Sequence, residues 1–267
     1  MAQYRNRYNF RMDPDNICSQ FPHFKNNFNI FKKQIQEVLM IELKDLSLTF
    51  HGEKILDKIT YKFKKNKVTA ILGPSGGGKT SLFNIIAGIE INHSGEVIKN
   101  FENVGYIFQE DRLLPWESVK ENLNIIPGAT EEKILYILEL LHIPHKADHL
   151  VKNLSGGEKQ RVAIARAFLY DTELILMDES LKSLDFSLKI KLIDLIISLL
   201  EKYSKTLIMI SHDIDEILLM ADEVIIFSKK PTVIEEVLTI DFPKSERTLS
   251  SKELKIYKNK IYDAILK

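Results

Sequence analysis

"VTAILGPSGGGKTSLFNIIAG", residues 68–88, decides how the rest of the chain is read. "VTAIL" is a short β-branched and apolar run of the kind buried in a parallel sheet. A glycine-rich turn follows, and "SLFNIIAG" reads as the opening of a helix. Within this stretch "GPSGGGKT" (73–80) has the form G-x-x-x-x-G-K-[ST]. Successive backbone N–H groups in such a turn, with a helix N-terminus behind them, make a cradle for anions. Gly73, Gly76, Gly77 and Gly78 let the backbone wrap phosphates, Lys79 reaches β/γ oxygens, and Thr80 offers a hydroxyl to Mg²⁺. A chance match somewhere in such a chain occurs at about the 1% level from residue usage. The strand before and the helix after are the context that the motif requires.

Outward from this turn the pattern is regular. "IELKDLSLTF" (41–50) and "ITYKFKK" (59–65) alternate like half-buried strands around a turn at His51–Lys54, giving an N-terminal antiparallel β subdomain. Further buried-strand runs lie at 174–178, 206–211 and 223–228, with helical patterns near 156–169, 187–202 and 213–220. Strands alternating with helices predict an α/β core with a mostly parallel sheet, a P-loop NTPase fold. Residues 110–165 lack strand runs and are expected to form an inserted α-helical subdomain.

Bulk composition bounds the rest. The 267 residues are 45% hydrophobic and 28% charged, and Lys+Arg and Asp+Glu are both 37, so neither a nucleic-acid partner nor an anionic-membrane footprint is expected. One cysteine, Cys18, cannot close an internal disulfide, which fits a reducing compartment. No apolar run reaches the ~18–20 residues of a membrane span. The N-terminus mixes Arg5, Arg7 and Arg11 with Asp13 and Asp15 and has no signal-peptide pattern.

Three further segments carry chemistry. "LILMDES" delivers two acids at the end of a strand: Asp178, placed to hold Mg²⁺ through water, and Glu179, placed to act as general base on the attacking water. Seen alone, such a pair is more often a turn or a cap; downstream of a P-loop that reading weakens. His212 in "ISHD" ends another strand; strand-end histidines are mostly structural, but the carboxyl ends of parallel strands are where ligands sit, so a γ-phosphate contact is open to it. In "LSGGEKQR" (154–161), Ser155, Gly156 and Gly157 open a helix and form a second anion-binding N-terminus. One nucleotide needs one P-loop, so a second such element suggests that two chains share each nucleotide.

"GPSGGGKT", "FQ", "LSGGEKQR", "LILMDE", "SLD" and "SHD", in that order, resemble the nucleotide-binding subunit of ATP-binding cassette (ABC) transporters over about residues 41–267. The resemblance implies a head-to-tail homodimer with two ATP molecules, each between the P-loop of one subunit and Ser155/Gly157 of the other. It implies a nucleotide cradle of Gly73, Pro74, Ser75, Gly76, Gly77, Gly78, Lys79, Thr80 and Ser81, with Phe50 stacked on adenine. Lys79, Gln109, Glu179 and His212 are the expected catalytic set, Thr80, Gln109 and Asp178 the expected Mg²⁺ ligands, and Asp185 the residue that communicates across the dimer. Two positions depart from the usual pattern: Ser180 stands where proline is common, and Phe50 where tyrosine is commoner.

"FQEDRLLPW…V…N" is similar to the nitrate/sulfonate/taurine importer group, as is the tail from about 230, a strand, a turn at Phe242–Arg247 and a closing helix. The implied function is hydrolysis of ATP to power import of a small anionic solute, at the cytoplasmic face of a membrane, with permease subunits and, indirectly, a solute-binding protein as partners. Leu113, Leu114 and Trp116 are the expected permease-docking surface; the alternative is that Trp116 packs the helical subdomain. Other ABC systems, such as lipid or lipoprotein extractors that share Glu158, and soluble ABC proteins acting on DNA or ribosomes, are the competing functions. The latter carry two cassettes or coiled-coil arms that this chain lacks. A simple P-loop kinase would not need "LSGGEKQR", and no N-K-x-D segment favours guanine.

Residues 1–39 have no counterpart in the resemblance. Phe21, Phe24, Phe28, Phe31, Ile35 and Val38 recur at helical spacing, as in an amphipathic arm. The competing expectation is that translation starts at Met40, because Gln36-Glu37-Val38 can be encoded as CAG-GAG-GTN, a ribosome-binding sequence.

Overall fold

A computed structural model describes residues 39–182 and 184–266; the helical face and alternative start expected for the first segment fall largely outside them. Met40, the expected alternative start, lies buried within the first strand.

Two antiparallel strands, β1 (Leu39–Phe50) and β2 (Glu53–Lys64), meet at a tight turn where His51 and Gly52 both take positive φ. With β4 (Ser94–Lys99) they form a three-stranded sheet in the order β2-β1-β4. The larger sheet has the order β5-β6-β7-β3-β8-β9, from β3 (Val68–Leu72), β5 (Val104–Ile107), β6 (Leu174–Asp178), β7 (Thr206–Ile210), β8 (Glu223–Phe227) and β9 (Ile234–Thr239). All its pairs are parallel except β8 with β9.

The apolar runs of this sheet are buried on both faces, and their alternate residues belong to different cores. Ile71, Leu176, Ile208, Ile210 and Ile225 pack toward β1, β2 and α1 (Lys79–Ile86). Ala70, Leu72, Ile175, Met177, Met209 and Ile226 share the second core with the other helices. These are α2 (Val119–Asn124), α3 (Glu131–Leu140), α4 (Gly156–Leu169), α5 (Phe186–Lys202), α6 (Ile214–Met220) and α7 (Lys252–Ile265). A continuous hydrophobic run is what a doubly covered parallel strand requires.

The segment expected to be helical carries α2, α3 and two 3-10 turns, leading into α4, with one isolated bridge between Ser118 and Leu150. The tail is β9 and then α7, as expected, with Arg247 buried between them and donating to the carbonyls of Leu218, Ala221, Ile240 and Phe242. Because β3, β6 and β7 run parallel, their carboxyl ends bring Gly73, Asp178 and His212 to one edge.

Candidate nucleotide site

At that edge the P-loop leaves β3 and enters α1. Gly78 caps the helix at φ 77°, and a Cβ there would come within 2.6 Å of Ile55 Cγ2, so both its conformation and its space demand glycine. Lys79 is 6% exposed, and its Nζ donates to the carbonyls of Gly73 (2.9 Å) and Pro74 (2.8 Å). Burial lowers its pKa, against the raising influence of Glu179 and Asp178. The ammonium is therefore held by the loop's own carbonyls, with Lys79 lining the cleft above.

Thr80 Oγ1 donates to Asp178 Oδ2 at 3.0 Å. Burial pushes the Asp178 carboxyl up, opposed chiefly by the hydrogen bond from Thr80. An acid so placed is stabilised as an anion by a cation, and two hard oxygen donors suit Mg²⁺. Next to it Glu179 takes a positive φ of 44°. Its Oε1 lies 2.7 Å from His212 Nε2, and its Oε2 lies 3.0 Å from Lys182 Nζ. Ser180 is buried and its hydroxyl has no hydrogen-bond partner.

The cleft above these groups has a volume of about 460 Å³. Of the expected residues it is lined by Phe50, Ser75, Gly76, Gly77, Gly78, Lys79, Thr80, Ser81, Glu179 and His212. Phe50, 58% exposed and edge-on to His51, leaves a ring face open at its mouth. Gly73 and Pro74 contribute the carbonyls that hold Lys79. Gln109 is not brought to this cleft: it follows β5 on the exposed surface.

Ser155, Gly156, Gly157 and Asp185 do not line the cleft either. Ser155 caps α4 in a reciprocal box with Glu158: Glu158 N donates to Ser155 Oγ, and Ser155 N donates to Glu158 Oε2 at 2.8 Å. The backbone hydrogen bond from Ser155 leads in lowering the Glu158 carboxyl to about 2, with Lys146 helping at 3.1 Å. Gly157 lies against Leu188; a Cβ there would meet Leu188 Cδ2 at 2.4 Å. Asp185 caps α5 by accepting from Leu188 N. The Ser155 terminus is thus a fully formed helix cap that does not line its own chain's P-loop cleft.

Trp116 is 66% exposed and therefore does not serve as core of the helical subdomain. Its loop is held from below by Asn122, fully buried, whose amide accepts from Leu114 N (2.7 Å) and donates to Leu114 O (3.0 Å) and Ser118 O (2.9 Å). Arg166 donates to the carbonyls of Asp111 and Arg112. Leu113 is partly buried against the core, whereas Pro115 and Trp116 stand out from it.

Lys182, Tyr106 and Arg166 escaped sequence reasoning. Lys182 lies two residues beyond a motif but contacts its acid; Tyr106 stacks on Phe108 and meets Phe83 of α1 edge-on, contacts for which spacing along the chain gives no signal.

A P-loop after β3 of a parallel sheet, two acids at the end of β6, a histidine after the β7 strand that lies between them and a capped signature helix define an ATP-binding cassette. The family described as ABC transporter matches residues 56–182. Over 193 residues the chain is 35% identical to the aliphatic sulfonates import ATP-binding protein SsuB 1 of Pseudomonas savastanoi pv. phaseolicola, covering 72% of this chain and 81% of that one. Over 215 residues it is 33% identical to SsuB of Bacillus cereus, covering 76% and 86%. Among solved structures, a dimeric post-hydrolysis ATP-binding cassette bound to ADP and Pi matches with TM-score 0.65 at 27% identity, over 76% of this chain and all of that one. A dimeric bacterial ABC transporter cassette matches with TM-score 0.67 at 26% identity over the same shares. The chain belongs to the ABC transporter ATP-binding family, and it is an ATPase.

Proposed function

We propose that this ATPase powers an ABC importer for a small anionic solute of the sulfonate type, through ATP-driven closure of a homodimer. The supporting observation is that the cleft holds the P-loop, Glu179 and His212 in one chain, while the capped Ser155 terminus does not line it. A second copy, head to tail, brings Ser155, Gly156 and Gly157 onto the nucleotide and sets Asp185 at the seam. The sulfonate-import relatives support the solute class.

In this reading Phe50 stacks on adenine, and the segment Gly73–Ser81 cradles the phosphates, with Pro74 O and Gly73 O releasing Lys79 to them. Thr80 and Asp178 hold Mg²⁺, with Gln109 joining them when its loop moves in. The ion neutralises charge on the phosphates. Glu179 is the general base, and His212 fixes one of its oxygens while facing the γ-phosphate. Catalysis is then mostly positioning and charge stabilisation.

Leu113, Leu114 and Trp116 dock the permease at the cytoplasmic face of the membrane. A solute-binding protein is reached through that permease. No helix among the described residues is long and apolar enough to cross a membrane, so a membrane subunit must be supplied. Mild-detergent pull-down of the tagged chain, with mass spectrometry, tests this: a polytopic membrane protein should elute with wild type and be lost with Trp116→Ala at unchanged melting temperature. A catch of ribosomal or DNA-bound proteins would contradict it.

A further inference from the structure

Next to the nucleotide cleft lies a second cavity, of about 570 Å³, and Glu179 and His212 line both. The His212 side chain is 33% exposed, so close packing contributes little to fixing its place. The turn from β7 into α6, Ser211-His212-Asp213, has to do so. Ser211 Oγ accepts from Asp213 N at 3.0 Å, bridging the turn over His212. The same hydroxyl donates its hydrogen to Glu216 Oε2 at 2.9 Å. Asp213 caps α6 by accepting from Asp215 N and Glu216 N, and its other oxygen lies 2.6 Å from Lys189 Nζ of α5. Glu216, in the first turn of α6, is buried, and its Oε1 has no hydrogen-bond partner. Keeping a carboxyl at that depth is costly, and the hydroxyl that it holds is the one that spans His212.

We propose that Glu216 is a positioning residue for His212: by holding the Ser211 hydroxyl, it fixes the turn that sets the imidazole against Glu179 and the nucleotide cleft. This rests on the proposed role of His212 toward Glu179 and the γ-phosphate. A serine hydroxyl has one hydrogen and rotates to suit its acceptor. With Glu216 as acceptor, that hydrogen is directed away from the turn and a lone pair is left for Asp213 N–H. Without the acceptor the hydroxyl turns to other partners, and the bridge over His212 loosens. The imidazole Nε2 then strays from its place 2.7 Å from Glu179 Oε1. Rate is sensitive to such slips, because catalytic groups act only near their productive geometry.

The experiment measures steady-state ATPase and ADP affinity of the full-length protein. Glu216→Met fills similar space and removes the acceptor, whereas Ser211→Ala removes the bridge itself. Each should lower kcat about fivefold, the kinetic equivalent of one ordinary hydrogen bond. Affinity for ADP, which has no γ-phosphate, should stay unchanged. Glu216→Gln keeps an acceptor for the hydroxyl and should remain within about twofold of wild type. In a His212→Ala background Ser211→Ala should cost nothing further, because the two changes remove one shared contribution. An unchanged kcat in Glu216→Met and Ser211→Ala overturns the positioning role, as does ADP affinity that falls in step with kcat. So does Glu216→Gln as slow as Glu216→Met, or the full loss recurring without His212. His212→Ala alone separates the two layers: if its turnover equals wild type, the reading of His212 fails and the inference falls with it.

Discussion

The P-loop cleft and the Ser155 helix terminus are both proposed to recognise phosphate, yet only the first gathers its other groups within the chain. At the cleft, Lys79, Thr80, Asp178, Glu179 and His212 already touch one another or the loop. At Ser155 the cap is equally well formed, but its residues are not among those that line the cleft of the same subunit. Sheet topology explains the first: parallel strands necessarily bring their carboxyl ends together. No topological rule closes the second, and a partner copy is the economical way to do so.

The sharpest way to break this comparison is at the finished half. Lys79→Ala should abolish measurable binding of a fluorescent ATP analogue, because the buried ammonium held at the P-loop is lost. Glu179→Gln should keep binding and slow turnover roughly 10²–10⁴-fold, the usual weight of general-base help, as read by phosphate release. An unchanged rate would remove Glu179 from that role.

Glu216 gives a smaller, pH-dependent effect behind the cleft. It is 3% exposed, accepts from Ser211 Oγ at 2.9 Å, and is pushed up to about 7 by burial. The folded chain therefore binds this proton more tightly than the unfolded chain, whose carboxyl titrates near ~4.3. The stability contribution is complete below that value and is lost as pH rises through 7. By linkage the deficit above pH 7 is of order 3 kcal/mol. Denaturant melts should show Glu216→Gln more stable than wild type at pH 8 and about equal at pH 4; equal stabilities at both would contradict the assignment.

The smallest expected effect concerns Lys182. Its ion pair occupies the Glu179 oxygen that His212 leaves free, and as an exposed contact it is weak. Lys182→Ala should raise the basal ATPase of the isolated chain about two- to fivefold, the kinetic equivalent of ~0.4–1 kcal/mol. A fall in rate would mean that the lysine helps catalysis instead.

How much of this was legible in the chain varies with the physics. The core strands at 68–72, 174–178, 206–210 and 223–227 could be read because burial on both faces leaves uninterrupted apolar runs. β4 and β5 could not: "SGEVIK" is mostly exposed and "VGYI" spans four residues with a glycine, so neither has a period long enough to register. The P-loop was legible because its chemistry is local in sequence. His212 on Glu179, and Asn122 beneath Leu114, act through contacts made by the fold. Trp116 drew notice as an anomaly, and its exposure excludes the core reading while leaving docking as the proposal.

The measurement that tests the shared-site account most directly is the ATP-dependent mass of the Glu179→Gln chain in solution, with and without a second change, Ser155→Arg. The account predicts a monomer without nucleotide, a dimer with ATP, and a monomer that still binds ATP once Ser155 is replaced. A Ser155→Arg chain that dimerises as readily as its parent would contradict a nucleotide held between two copies.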